Sequence, residues 1–408
     1  MQTTLAEFIR NTPDGDEAQA ILGKCVHCGF CTATCPTYQL LGDELDGPRG
    51  RIYLIKQLLE GGEVTRSTQQ HLDRCLTCRN CETTCPSGVQ YGRLVEIGRK
   101  VVEEKVERPF GQRVTRNLLA TLLPNSQLFT PAMKLGQQFR AFLPKGLRAK
   151  IPAPQTPLAL PVRIHQRKML MLAGCVQPAM MPNVNIATAR VFDALEIQIV
   201  TAPSAGCCGA IRLHLGRNDD ALDDVRNNID AWWPYVENGV EAIVMNASGC
   251  GATVKEYAHL LRNDPDYAIK AAKIVDMTRD LAEILPQYEV QLAALIRRHA
   301  VHTVAFHPPC TLQHGQQIRG QVENLLTALG LEVHIPADNH LCCGSAGTYS
   351  VLQPKLSYAL RDQKVAALEK LEPQMILSAN VGCIAHLQSG TQVPVAHWIE
   401  LLEHMLYG

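Results

Sequence analysis

The chemistry open to this 408-residue sequence is set by its 16 cysteines, which fall into four sets of four. The first two sets share the spacing CxxCxxCxxxCP and begin at residues 25 and 75. The sequence starts with several acidic residues and without the apolar core of a secretory signal, so we expect a cytoplasmic protein. In that reducing compartment, so many thiols indicate metal ligands or redox groups, and not a disulfide framework.

The repeated CxxCxxCxxxCP spacing is that of proteins that hold two [4Fe–4S] cubanes and exchange one ligand between them. Three cysteines on a tight turn reach three irons of one cube, and the fourth leaves the turn and points across to the other cube. Two clusters so close together would form a one-electron relay. The expected ligand sets are Cys25, Cys28, Cys31 and Cys85 for one cluster, and Cys75, Cys78, Cys81 and Cys35 for the other.

A pair of zinc sites is the alternative for these eight cysteines, because CxxC pairs are the usual sign of a zinc ribbon. A structural zinc takes four ligands, however, and gives no reason for a third CxxC step and a Cys-Pro ending in both copies. Iron–sulfur chemistry also predicts cationic neighbours, since an all-thiolate cubane is net anionic. The candidates for that role are Arg49, Arg51, Arg74 and Arg79.

The remaining eight cysteines form two further sets that are too widely spaced for a loop motif, so only the fold can gather them. An adjacent pair followed by glycine occurs in each set, and glycine lets the backbone approach a bulky inorganic group closely. A redox or ligand role is therefore favoured. His307 and His386, each three residues from a cysteine, are possible additional ligands. The two sets are Cys175, Cys207, Cys208 and Cys250, and Cys310, Cys342, Cys343 and Cys383.

The near-constant separation of these two sets indicates an internal repeat, and hence two equivalent lobes packed about a pseudo-twofold axis. Strands alternating with helices predict a parallel α/β sheet in each lobe, with the cysteines at strand ends. The expected strands are 168–175, 196–201, 241–248, 301–306, 331–335 and 374–379, and the expected helices of the first lobe are 187–195 and 219–235. Ahead of the lobes, helical periodicity at 52–59 and 94–106 predicts a small helical domain.

Between the halves lies a basic segment, residues 108–170, which holds eleven Lys or Arg residues and no acidic one. Short amphipathic helices are expected at 114–123 and 133–143, followed by an extended linker at 151–161. Such a segment would suit an anionic membrane surface or the acidic face of a partner. A solvent-exposed linker is the alternative.

The rest of the composition excludes several classes of function. Lys plus Arg and Asp plus Glu both number 39, and aromatic residues make up 5% of the chain, so no nucleic-acid partner is expected. Long apolar stretches are interrupted by polar residues, so no membrane span is expected. The sequence also lacks a strand followed by GxGxxG and a helix, which places any flavin or nicotinamide chemistry on another polypeptide.

The Cys-Cys-Gly repeats at 207–209 and 342–344 resemble the CCG cysteine-rich domain of heterodisulfide reductase subunits, lactate-utilisation proteins and anaerobic glycerol-3-phosphate dehydrogenase subunits. A di-cluster ferredoxin domain followed by two CCG domains is similar to the iron–sulfur subunits of bacterial glycolate oxidases, more properly glycolate dehydrogenases. The similarity extends over almost the whole chain. It is most specific in the runs CVHCGFCTATCPTYQLLGDELDGPRGRIYLIKQ, HLDRCLTCRNCETTCPSGV, RNNIDAWWP and LCCGSAGTY.

This resemblance implies an α+β multidomain protein. Its expected domains are a helical di-cluster ferredoxin domain at 1–107, a basic proline-rich connection at 108–167, and two α/β CCG lobes at 168–300 and 301–408. It further implies a complex in which FAD-containing partner subunits oxidise glycolate to glyoxylate, while this chain relays electrons to the quinone pool at the cytoplasmic face of the inner membrane. On its own the chain is expected not to be catalytic.

The sequence departs from the fullest CCG pattern, which ends in CxxC, because Thr253 and His386 stand where the last thiol would be. A further iron–sulfur cluster, zinc or a redox-active thiol group therefore stays open for each lobe. Two other functions stay open as well. One is an electron-transfer or catalytic subunit of a heterodisulfide-reductase-like, lactate or glycerol-3-phosphate dehydrogenase complex, in which Cys208 or Cys343 would reduce a disulfide. The other is a zinc-stabilised scaffold.

Overall fold

The computed structural model describes residues 1–297 and 300–408, except for the side chain of Lys145. Its N-terminal part is entirely helical, as expected. The first long helix begins where Thr12 accepts a hydrogen bond from the backbone of Gly15, with Pro13 in the first turn. The helices are Pro13–Lys24, Phe30–Ala33, Pro36–Leu41, Pro48–Leu59, Arg66–Asp73, Asn80–Thr84 and Tyr91–Lys105, with a 3-10 turn at Glu44–Asp46.

Two of these helices, Pro48–Leu59 and Tyr91–Lys105, form the centre of the N-terminal core. Ile55 and Leu94 are fully buried between them, and each such side chain contributes about 1.5–3 kcal/mol on burial. A Cβ at Gly98 would lie 2.7 Å from Ile55, so this glycine lets the two helices approach closely. The packing fixes the scaffold from which the two cysteine loops project.

The basic segment folds into short helices that lead into an irregular stretch. The predicted helices at 114–123 and 133–143 are present but begin earlier, and no regular structure follows from 152 to 166, as expected for a linker. Within the described part of the chain, no helix is both long and apolar enough to span a membrane. The helices of the segment are Phe110–Leu122, Ser126–Gln138, Arg140–Phe142 and Lys145–Arg148, the third being a 3-10 turn.

Each lobe contains a parallel sheet of four strands. The strands are β1 (Arg167–Met171), β2 (Ile197–Val200), β3 (Ile243–Met245), β4 (Thr278–Asp280), β5 (Thr303–His307), β6 (Glu332–His334), β7 (Met375–Ser378) and β8 (Val395–His397). The orders, β2-β1-β3-β4 and β6-β5-β7-β8, are equivalent. The sequence predicted three strands in each lobe and missed β4 and β8, because neither Thr278–Asp280 nor Val395–His397 is an apolar run long enough to indicate a buried strand.

Helices cover both sheets. In the first lobe they are Gln177–Met180, Pro182–Ala194, Ala210–His214, Asn218–Glu237, Ser248–Val254, Tyr257–Leu260, Ala268–Met277, Leu281–Ile284, the 3-10 turn Leu285–Tyr288, and Glu289–Leu295. In the second lobe they are the π-helical turn Thr311–Gly315, then Gln321–Ala328, Tyr349–Leu352, Pro354–Glu369, Val381–Gln388 and Trp398–Tyr407.

The two lobes exchange the helices that follow their last strands. Trp398–Tyr407 of the second lobe packs on Pro182–Ala194 of the first, and Leu281–Ile284 of the first packs on Gln321–Ala328 of the second. One apolar core therefore contains buried residues of both lobes. This reciprocity is that of a pseudo-twofold axis, and it fixes the relative position of the two cysteine sets.

The exchanged helix offers a test of the shared core. We expect Leu402→Ala to destabilise the protein by about 2–5 kcal/mol, because Leu402 is fully buried in that core. Hydrogen exchange should then increase in residues 182–194 of the first lobe as well as in 398–407. His404→Ala, on the exposed side of the same helix, is the control. An increase confined to the second lobe would contradict a shared core.

Candidate metal centres

The two CxxCxxCxxxCP loops adopt the same backbone conformation. His27 and Thr77, at equivalent positions, have φ of 57° and 52°, and the next equivalent pair, Gly29 and Arg79, has φ of 84° and 60°. The left-handed backbone of the first loop favours glycine at position 29, where a Cβ would lie 2.7 Å from the movable end of the Arg49 side chain. Strained left-handed residues at matching positions are typical of a loop held for a function.

Around the first loop, the structure gathers the thiols of Cys25, Cys28 and Cys31 with Cys85 from the end of the second loop. They line one small cavity. Burial and the neighbouring charges of Cys25 and Cys85 raise the pKa of the Cys31 thiol to about 11. Cys81 also lines this cavity. The structure therefore places Cys85 of the other motif beside the first three thiols, and the crossed ligand set stays a prediction.

A second quartet forms around the second loop, where Cys35 joins Cys75, Cys78 and Cys81 in another small cavity. Burial and the charges of Cys78, Cys75 and Cys35 raise the pKa of Cys81 well above its usual value. This quartet is more enclosed than the first, in which Cys28 is exposed.

Two hydrogen-bond donors lie close to the sulfur of Cys75. The backbone N–H of Thr77 lies 3.4 Å and the hydroxyl of Tyr91 lies 3.6 Å from this Sγ atom. Burial raises the pKa of Cys75, but the charges of Arg51 and Arg99 outweigh it and lower the pKa. A thiolate at this position is therefore stabilised before any metal binds, and such hydrogen bonds raise the potential of a bound cluster.

Arg51 is a buried cation in the wall of the second cavity. Its side chain is 1% exposed and contacts the hydroxyl of Thr37 at 3.2 Å and the carboxylate of Asp46 at 3.5 Å. Burial disfavours its charge, yet the charges of Cys75 and Cys35 are among those that raise the pKa of Arg51. Arg51 therefore stays protonated beside the second quartet and offsets the charge of its thiolates.

The other three predicted arginines have different roles. Arg74 donates to the same aspartate at 2.7 Å. Arg49 lies beside the first loop and pairs with Glu44 at 2.6 Å. Arg79 pairs with Glu256 at 2.8 Å, which ties the second loop to the first lobe. Of the four, Arg51 is thus the one that is buried between the loop and the core.

In each lobe, the four cysteines meet at the carboxyl edge of the sheet, as expected. Cys310 and Cys342 have their Sγ atoms 3.7 Å apart. A hydrogen bond with Cys342 and burial raise the pKa of Cys310 well above its usual value. In the first lobe, a hydrogen bond with Cys207 and burial do the same for Cys175. Both lobes therefore assemble widely separated cysteines into a quartet.

The two lobe quartets and the second loop share one chamber of about 260 Å³. Cys78 lines it from the N-terminal domain. A hydrogen bond with Cys310 lowers the pKa of Cys342, but a hydrogen bond with Cys343, burial and the charges of Cys343 and Cys78 outweigh it and raise the pKa well above its usual value. The thiols that line the chamber are Cys78, Cys175, Cys207, Cys208, Cys250, Cys310, Cys342 and Cys383. The fold thus joins three of the four cysteine sets in one place.

The two candidate histidine ligands lie in different surroundings. His386 directs Nε2 at the hydroxyl of Ser357, 3.1 Å away, and stacks on Tyr358, which places that nitrogen outside the quartet. His307 bonds through Nδ1 to Ser378 at 3.1 Å, while its buried Nε2 has no hydrogen-bond partner among the described residues. Burial lowers the pKa of His307 to about 3, so the ring is neutral.

The donor set of all four sites is made of thiols, which as thiolates select iron–sulfur clusters or zinc over hard cations. At the N-terminal sites the crossed quartets, the hydrogen bonds to Cys75 and the buried Arg51 fit anionic cubanes. The lobe quartets lack the additional thiol of the fullest CCG pattern, so four cysteines are the thiol ligands available to a group in each lobe.

Two residues that touch the second-lobe quartet were not anticipated from the sequence. Asn380 donates to the sulfur of Cys383 at 3.5 Å. Lys364 is buried near Cys343 although it lies on a helix whose other buried positions are mostly apolar or small. A lysine in the apolar stripe of helix Pro354–Glu369 was the available signal, but periodicity alone does not indicate what that stripe faces.

Comparisons with known proteins agree with thiol metal sites in the N-terminal domain and in both lobes. Residues 21–89 match the family model of the 4Fe-4S dicluster domain, and residues 169–255 and 304–388 match the cysteine-rich domain CCG. The fold class and the iron–sulfur cofactors expected from the sequence are thereby confirmed.

Full-length relatives narrow the family further. The chain is 53% identical to the glycolate oxidase iron-sulfur subunit of Escherichia coli (strain K12), over 100% of this chain and 99% of that protein. It is 30% identical to the probable glycolate oxidase iron-sulfur subunit of Bacillus subtilis (strain 168), over 92% and 90%. Lactate utilization protein A of Bacillus velezensis is 27% identical over 58% of this chain and 98% of its own length. The chain belongs to the family of glycolate oxidase iron–sulfur subunits.

Proposed function

We propose that this chain is the electron-transfer subunit of a glycolate-oxidising complex. Partner subunits that carry FAD oxidise glycolate to glyoxylate, and this chain passes the electrons toward a quinone. The observation that carries the proposal is the shared chamber, in which Cys78 of the second loop lies with the quartets of both lobes. The chamber thus places the metal site of the second loop next to those of both lobes, so that electrons could pass between them.

The proposed ligands are the two crossed quartets of the N-terminal domain. The charge of Cys85 acts on Cys31, and that of Cys35 acts on Cys78 and Cys81, which supports the exchange of the fourth thiol. When bound there, the clusters supply one-electron transfer. The chain's own residues exclude water from the second site and balance its charge through Arg51.

The thiols of the lobes favour a ligand role over the reduction of a disulfide. A nucleophilic thiol needs a lowered pKa. In Cys343, a hydrogen bond from Cys342 lowers the pKa, but a hydrogen bond with Cys383 and burial outweigh it and raise the pKa well above the usual value. Metal binding removes this obstacle, because coordination itself deprotonates the thiol.

The proposed domains remain 1–107, 108–167, 168–300 and 301–408. The change from helices to a parallel sheet at Arg167 supports the third boundary, and the repetition of the strand order supports the last. The last two domains are lobes that share a core, so we propose them as units of the repeat and not as independently folding pieces.

For the basic segment, we propose contact with the anionic cytoplasmic face of the inner membrane. Its helices leave apolar side chains exposed: Phe110, Val114 and Leu118 recur every four residues on helix Phe110–Leu122, and Leu135 and Phe142 are exposed on the following helix and 3-10 turn. This pattern, beside basic residues, is typical of helices that lie in a membrane interface.

Part of the positive charge of the segment is used inside the protein. Arg108 and Arg116 both pair with Asp73, at 2.6 and 2.9 Å, and Arg163 pairs with Asp193. Lys150 lies over the ring of Tyr358, where burial lowers its pKa to about 8. The apolar stripe therefore carries more of the proposed membrane contact than the number of basic residues suggests.

The first test concerns the electron path. In the assembled complex, Cys28→Ser and Cys78→Ser should abolish glycolate-dependent reduction of a quinone, while the flavin subunits still reduce an artificial dye. The purified chain alone should bind iron and leave glycolate unchanged. Ser87→Ala, a change in the wall of the first cavity that removes no thiol, is the control. Quinone reduction retained in either cysteine variant would refute the proposal.

The second test concerns the crossed ligands. We expect Cys85→Ser to remove the same EPR signal as Cys28→Ser, and Cys35→Ser to remove the same signal as Cys78→Ser, in the dithionite-reduced chain. The iron content should fall together with the signal. If Cys85→Ser instead removes the signal that is lost in Cys78→Ser, each motif holds its own four ligands.

The third test concerns the membrane. Leu118→Asp and Leu135→Asp, at side chains that are 60% and 57% exposed, should each weaken binding to anionic vesicles by roughly tenfold or more, because a buried leucine contributes about 1.5–3 kcal/mol. The measurement is vesicle co-sedimentation. Ile269→Asp, at a residue of the first lobe that is 84% exposed, should bind normally. Unchanged binding of both leucine variants would contradict the proposed contact.

A further inference from the structure

The two lobes have the same fold but not the same charge around their cysteines. Equivalent positions can be identified from the glycine that follows each cysteine pair. Gly209 lies against the carbonyl of Ala221, and Gly344 lies against the carbonyl of Ser357. Seven residues further along the same helices stand Asn228 in the first lobe and Lys364 in the second. One lobe therefore presents a neutral amide where the other presents an amine.

Both side chains are buried next to the cysteine pair. Asn228 is 0% exposed, accepts from the backbone of Gly206 and donates to the carbonyl of Cys207 at 2.6 Å. Lys364 is 4% exposed and donates to the carbonyl of Asp338. The amide of Asn228 is thus used by two backbone groups and the hydroxyl of Tyr257, whereas the ammonium group of Lys364 brings a charge into the interior.

Within the described part of the chain, no carboxylate forms an ion pair with Lys364. Burial lowers its pKa, while the charges of Cys343, Cys342, Asp338 and Cys310 oppose that decrease, so three of the four negative charges that act on it belong to the quartet. An unpaired buried ammonium group is costly. The cost disappears if the thiols become thiolates around a bound group, since these thiolates then provide the missing counter-charge.

Two more polar groups distinguish the second lobe. Asn380 donates to Cys383 Sγ, and the corresponding residue three positions before Cys250 is Ala247. The buried Nε2 of His307 is unpartnered among the described residues, and the corresponding residue is Leu172. The lysine, the amide donor and the free ring nitrogen thus all lie in one lobe.

Both lobes meet the N-terminal domain at the chamber, the first through the ion pair of Glu256 with Arg79 and the second through an apolar contact with the second loop. Cys78 and Cys310 pack against the same small apolar cluster, which contains Leu76, Cys342 and Tyr349. The hydroxyl of Tyr349 donates to the carbonyl of Arg74, immediately before the second loop. An electron that leaves the second loop therefore has a packed path into the second lobe.

We propose that the two lobe sites are electrostatically unequal, and that Lys364 makes the second-lobe quartet the one that receives the electron from the N-terminal domain. In this step, one electron leaves the iron–sulfur group of the second loop, which is oxidised, and reduces an iron–sulfur group held by Cys310, Cys342, Cys343 and Cys383. Lys364 is a positioning residue, because its charge stabilises the added electron without contact with a substrate. The inference rests on the proposed electron-transfer function.

The test is an EPR-monitored redox titration of the full-length holoprotein, reduced with dithionite so that no glycolate turnover is needed. We expect Lys364→Asn, which copies the first lobe, to shift one midpoint potential to a more negative value and to leave the other signals in place. Lys364→Arg keeps the charge and should keep the potential. Asn228→Gln, the neutral change in the first lobe, should shift none of the second-lobe signals.

Iron and acid-labile sulfide counts accompany the titration. If Lys364→Asn loses iron that Lys364→Arg retains, the charge is required for binding of the group, which supports the same role. Unchanged potentials in Lys364→Asn at full iron content would overturn the inference, as would loss of iron in both variants or zinc in the second lobe. Because the potentials are measured on the chain alone, these results are distinct from a failure of glycolate-dependent electron transfer.

Discussion

Thiols must lose their protons to bind a metal, yet this fold buries them in quartets where burial and mutual repulsion raise their pKa. Cys31, Cys81 and Cys310 all have this difficulty. Without metal, these three buried thiols keep their protons and are held close to their neighbouring cysteines at a cost. Metal binding relieves that cost, so the free energy of binding is also free energy of folding, and the surrounding elements depend on it.

The protein meets this constraint differently at its different sites. At the second loop, the buried Arg51 and the donors to Cys75 stabilise charge on sulfur in advance. At the first loop Cys28 is exposed, so water can also stabilise negative charge on its sulfur. The two lobes differ in the side chain buried beside their quartets, which is the neutral amide of Asn228 in the first lobe and the ammonium group of Lys364 in the second. Four sites of similar composition can thereby hold groups of different potential.

The exchange of helices between the lobes explains how such widely spaced cysteines keep a common chamber. Trp398–Tyr407 belongs in sequence to the second lobe but completes the core of the first. A relative rotation of the lobes would expose this apolar surface. The same packing that stabilises the repeat therefore holds the two quartets against Cys78, and the ion pair between Arg79 and Glu256 fixes the N-terminal domain to the first lobe.

The sequence alone determined the local features: the two cluster motifs, the repeated lobes and most of their parallel strands. These features depend on short spacings and on periodicity, which neighbours along the chain encode. The exchanged helices, the short strands β4 and β8, and the charges facing each quartet were decided by tertiary structure. Lys364 and Cys310 are far apart in sequence, and only packing places an ammonium beside those sulfurs. The periodicity of helix Pro354–Glu369 shows which of its sides is buried, but it does not show that this side faces the cysteines.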